Sequence, residues 1–175
     1  MIKEKFIYYI STADDIFRNG KLFDKACDCY KKARDLYDLL DESAKHEYSS
    51  LMDKLTLKYC DYIKNQAAED YKKKNYRKAL LLYEDLMFLS DDEQNFPFFA
   101  MADCQKQQGA LKTAIKTYKK GLEFSPSKYD VFRIIGDLYS MLKSDCESDE
   151  EENVLSAIQN YEEYCRHYFK NASVY

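Results

Sequence analysis

The chain has 175 residues, a net charge of −4, 33% charged side chains and only four Gly and two Pro; this length suits one domain or one short solenoid, and so few breakers leave it mostly helical. No stretch alternates at period two for long enough to build a sheet, and six acids fall in one run at 144–152, whose removal leaves +2 for the rest, which excludes a polybasic nucleic-acid footprint. The apolar run at 6–10 is too short for a signal-peptide core or a membrane span, so a cytoplasmic chain with no membrane insertion is expected.

The first predicted element, over 6–40, is a pair of helices. Tyr9, Ala13 and Ile16 mark one face of its first helix. Phe23, Ala26, Tyr30 and Ala33 mark the second, which continues through Leu36, Tyr37 and Leu40 at helical spacing. A stretch without breakers follows, where Tyr48, Leu51, Met52, Leu55, Tyr59 and Tyr62 form an apolar stripe. Ser43 stands where a cap is needed. One long helix over 44–74 is predicted, about 45 Å at 1.5 Å per residue; a break near Cys60 is the alternative. Its 44–62 part is an extension.

The second pair covers 60–90, with Ala67, Ala68 and Tyr71 on its first helix and Tyr76, Ala79, Tyr83 and Leu86 on its second. The third, over 96–126, has the sharpest pattern: Phe98, Met101 and Ala102, a turn at Gly109, then Leu111, Ala114, Tyr118 and Gly121. Asn95 is placed to cap it, Pro97 suits a first turn, and Ser125-Pro126 ends it. The fourth, over 128–169, opens on a capping-box pattern at Ser127 and Asp130. Phe132, Ile135, Gly136 and Tyr139 lead to an acidic loop at 144–152, and Val154, Ala157, Tyr161 and Tyr164 follow. Ala79 and Ala114 are 35 apart, whereas Ala26–Ala79 and Ala114–Ala157 span 53 and 43. These are one period near 34 with insertions of 19 and nine. Small residues sit where two helices touch, and a lone pair cannot bury its apolar face, so pairs must stack.

The residues of these pairs resemble the tetratricopeptide repeat family over nearly the whole chain. The resemblance implies an all-α fold, a right-handed α-solenoid of about four helical hairpins with one extended helix, forming a single domain over 1–175. It further implies a concave groove, lined by the first helix of each pair, that holds a partner peptide or helix. The family's clamp for acidic C-terminal tails is not matched, because Asp14 and Glu69 stand where Asn is required. Residues 68–121 are also similar to the small repeat chaperones of type III secretion, through Phe98-Phe99, Ala102-Asp103-Cys104 and Ala114-Ile115. That likeness implies an alternative, a chaperone holding an unfolded client.

The position after each small residue of the first helices reads Asp14, Glu69, Asp103 and Asp137, and four residues earlier stand Ile10, Asn65, Phe99 and Arg133. With Phe17, Phe96 and Lys106, these are the expected groove residues. An acidic ridge flanked by apolar pegs suits a protein or peptide partner with basic and apolar residues. The other reading pairs these acids with Arg18, Lys72 or Arg133 into a neutral wall.

Metal, cofactor and catalytic sites are not expected. Cys27 and Cys29 lie two apart, on opposite sides of a helix, and Cys165 and His167 share that fault. His46 and His167 stand without a phosphate loop or a nucleophile elbow. The six cysteines (27, 29, 60, 104, 146 and 165) read as reduced thiols. The pattern ends on Tyr164, Tyr168, Phe169, Val174 and Tyr175, so the last helix is expected to pack on a partner or on a second copy as a homodimer.

Overall fold

The computed structural model describes residues 2–19, 23–87, 89, 97–142 and 147–172, with the side chains of 23, 147, 171 and 172 left aside. Asn95, Phe96, 144–146, Val174, Tyr175 and the Phe23 side chain therefore lie outside the described residues. The described residues form eight helices and no strand. These are α1 (Ile2–Asn19), α2 (Phe23–Asp38), α3 (Glu42–Lys72), α4 (Tyr76–Met87), α5 (Phe98–Gln107), α6 (Leu111–Phe124), α7 (Asp130–Met141) and α8 (Glu147–Ala172). The chain packs as two compact units, Met1–Gln66 and Ala67–Tyr175, divided within α3.

In the first unit α1 packs along α2. Ala13 and Ala26 are wholly buried, as close helix contact demands. Phe6 is enclosed by Tyr37 of α2 and Tyr48 of α3, with ring centroids at 5.8 and 5.4 Å. Tyr30 stacks on Tyr59 at 3.9 Å, and its hydroxyl meets Thr56 Oγ1 at 3.1 Å. These contacts seat α3 against the α1–α2 pair. The long helix starts earlier than expected because Asp41, not Ser43, caps it: Asp41 Oδ1 accepts the Ala44 N–H at 2.9 Å. It runs through Cys60 without a break.

In the second unit the helices from α4 to α8 pack one on the next in chain order. α5–α6 and α7–α8 form hairpins, while α4–α5 and α6–α7 join one hairpin to the next. A repeat array is built this way. Ala102, Ala114, Ile115, Tyr118, Ile135 and Leu138 centre its core. Two glycines there serve by their size. A Cβ on Gly121 would stand 2.7 Å from the Phe99 ring, and one on Gly136 would stand 2.8 Å from the Tyr161 ring.

Two local expectations are corrected. Helix α7 starts at Asp130 with no side-chain cap, so the Ser127–Asp130 capping box does not form. Residues 147–152, expected in an acidic loop, are the opening turns of α8, where carboxylates meet the positive end of the helix dipole.

Candidate binding cleft and the acidic positions

One face of α1 and one of α3 enclose a cleft of about 510 Å³ in the first unit. Ile7, Ile10, Asp14 and Arg18 reach it from α1, at successive turns. Leu51, Leu55, Leu57 and Lys58 reach it from α3. Ile10 and Leu55 are buried, while Ile7, Leu51 and Leu57 stay 43%, 42% and 66% exposed. Large apolar side chains left in water beside a concavity mark a surface suited to an apolar guest. Asp14 bridges the two helices by pairing with Arg18 on α1 and Lys58 on α3. The Lys58 hydrogen bond is the main cause holding its carboxyl below the usual range.

Asp14 is thus the one expected acid that lines this cleft. Phe17 is half-buried against Tyr59 and Tyr62, at 6.0 and 5.4 Å, and belongs to the packing beneath. Leu51, Leu57 and Ile7 were not among the expected groove residues. Leu57 falls outside the apolar stripe of α3, and that misfit was the available signal.

In the second unit, Asp103 accepts the Tyr118 hydroxyl at 2.5 Å and pairs with Lys106 at 2.9 Å. Asp137 accepts the Tyr161 hydroxyl at 2.8 Å and pairs with Arg133 at 3.1 Å. The same device therefore ties first to second helix in both hairpins. Burial, then the Asp103 bond, pushes the Tyr118 phenol far above its ordinary range. Burial, with Asp103 beside it, lifts the Cys104 thiol to about 11, which keeps it an unreactive thiol at neutral pH.

Glu69 does not share this role. The backbone of the α3–α4 turn matches the α5–α6 turn at an offset of 35. The Asn75 N–H bonds Asp70 O at 2.8 Å, and the Ala110 N–H bonds Gln105 O at 3.0 Å. Lys74 and Gly109 both take positive φ, 63° and 77°. In this register Ala68, not Glu69, is equivalent to Asp103. Glu69 pairs with Lys72 at 3.3 Å. All four expected acids thus hold a cation from their own helix, as the neutral-wall reading has it. Phe99, taken as an anchor for a partner, is half-buried against Gly121. Phe96 lies outside the described residues.

No protein-family model and no curated protein sequence matches the chain. Among solved structures, the MamA protein superposes with a TM-score of 0.52 at 16% identity, over 97% of this chain and 95% of that one. A MamA RS-1 double mutant gives 0.53 at 12% identity, over 95% and 96%. Both are helical solenoids of the tetratricopeptide kind. The fold is tetratricopeptide-like. No helix among the described residues is long and apolar enough to cross a membrane.

Proposed function

We propose that the chain is a non-enzymatic interaction module of the cytoplasm whose α1–α3 cleft seats the apolar face of a partner's helix or peptide. The exposure of Ile7, Leu51 and Leu57 around that cleft carries the reading. The partner supplies large apolar residues. Basic residues on it would compete with Arg18 and Lys58 for Asp14 rather than meet a bare carboxylate. The matching positions of the second unit, with Asp103, Lys106, Arg133 and Asp137, act mainly as ties between helices. Contact with the guest there is secondary.

The test compares proteins that co-purify with the tagged full chain and with Leu51→Glu and Leu57→Glu variants. Both side chains are exposed, so each substitution should leave stability within about 0.5 kcal/mol. Partners lost from both variants, with unchanged thermal melting, support the cleft. An identical partner set in variants and parent sinks it. The narrower chaperone reading separates by composition: one dominant client instead of several assembly components.

A further inference from the structure

A second surface stands apart from the cleft, on the last helix. Val154, Leu155, Ile158, Tyr168 and Phe169 are 57%, 56%, 47%, 59% and 66% exposed, and Cys165 is an exposed thiol. At 100° per residue these six fall on one side of α8. Tyr161 lies within the same arc and Ala157 at its edge, and both pack toward α7, where Tyr161 meets Asp137. The exposed residues therefore form two apolar patches of a 26-residue helix, at 154–158 and at 165–169, on either side of Tyr161. The first patch holds a shallow hollow of about 480 Å³, between Glu150, Glu151, Val154, Leu155 and Ile158.

The spacing of the two patches is a palindrome. Val154 and Phe169, Leu155 and Tyr168, and Ile158 and Cys165 are symmetric about one point between Tyr161 and Glu162, each pair summing to 323. A helix with that symmetry matches an antiparallel copy of itself, apolar residue against apolar residue, in a single register. Isologous two-fold pairing is how most soluble dimers form.

Charge selects the same arrangement. The first turns of α8 carry Asp149, Glu150, Glu151 and Glu152, whereas Arg166 and Lys170 lie near its end. A parallel pair would set the two acidic ends side by side, where like charges repel. In the antiparallel register the acidic start of one helix instead runs beside the end of the other that carries Arg166 and Lys170. Glu162 comes close to its own copy at the two-fold, with Arg166 one turn away.

We infer that these patches of α8 dock a second copy of the chain as an antiparallel helix pair centred between Tyr161 and Glu162. The partner is the chain itself, so the inference does not depend on what the α1–α3 cleft holds. It accounts for two patches of large apolar residues that the fold leaves in water.

The experiment uses the purified full chain alone. Sedimentation equilibrium over a wide concentration range should show a monomer–dimer equilibrium. Ile158→Glu appears twice in the dimer and should weaken it on the order of 100-fold. Glu162→Leu, which removes like charge at the two-fold, should tighten it. Register is read separately by oxidising Ile158→Cys beside the native Cys165 and mapping the cross-link. A bond between position 158 and the partner's Cys165 supports the antiparallel pair, even if a glutamate variant also loses stability. A chain that stays monomeric throughout overturns the inference. So does a dimer that Ile158→Glu leaves intact, or a cross-link joining Cys165 to Cys165.

Discussion

The α3–α4 and α5–α6 turns share one backbone and differ in almost every side chain that supports it. Both close with the same N–H to carbonyl bond, from Asn75 to Asp70 and from Ala110 to Gln105. Both need a residue at positive φ, which Gly109 adopts freely and Lys74 adopts against the steric preference of an L residue. In the first turn, buried Asp70 takes the Asn75 amide at 3.3 Å and Lys78 at 3.5 Å. In the second, Gln105 replaces Asp70, Ala110 and Thr113 replace its partners, and Gln105 Oε1 is buried with no hydrogen bond among the described residues. The polar tie of the α5–α6 hairpin sits at mid-helix instead, between Asp103 and Tyr118. The two hairpins follow one path of the chain, while the groups that hold the path differ in kind and place.

The most disruptive change should be Gly121→Leu, which imports the residue found at the equivalent position of α4, Leu86. A side chain there meets the Phe99 ring, and overpacking of this kind costs about 1–3 kcal/mol. Thermal melting checks it, and Gly121→Leu with Phe99→Ala should recover part of the loss.

Next comes Tyr118→Phe. It removes a hydrogen bond to a carboxylate, worth about 1.5–3 kcal/mol. Tyr83→Phe should cost less in urea melts, because Ala68 presents no carboxylate. The pair also differs in pH dependence. Tyr118 stays protonated in the fold well above the ordinary range of a phenol, so its contribution is complete below about pH 10 and is lost as pH rises beyond that. Urea melts from neutral to alkaline pH should fall less steeply above pH 10 for Tyr118→Phe than for the parent.

A smaller, two-signed effect concerns the turns. Gly109→Lys should destabilise by about 1–2 kcal/mol, and Lys74→Gly should stabilise by up to about 1 kcal/mol. Equal signs would show that the turns are not equivalent. The smallest change should be Gln105→Met, a gain of about 1 kcal/mol on removing an unpaired buried oxygen. A loss of stability would mean that Gln105 has a partner within the fold.

Much of the helical order was legible in the residues alone. Ala26, Ala79 and Ala114 are wholly buried and Ala157 is 5% exposed, each where the spacing puts helix contact. The period of an apolar face is a local property, fixed by 100° per residue, and survives any arrangement of neighbours. The start of α8 was misread because an acidic run looks like a solvated loop, although a helix N-terminus also favours carboxylates. The candidate site was harder to see. Asp14 lines the cleft at a position its register marks, whereas the exposure of Leu51 and Leu57 depends on what lies opposite them.

By itself, then, the sequence determined the helical period, the small residues at helix contacts and the turn at Gly109. Only the tertiary structure decided that Asp103 and Asp137 bind tyrosines, that Asp14 joins α1 to α3 through Lys58, and that two apolar patches of α8 stay uncovered. The reason is physical. Periodicity follows from bonds along one helix, whereas a hydrogen bond, an ion pair or an empty flank is settled by which residues of other helices arrive within a few ångströms.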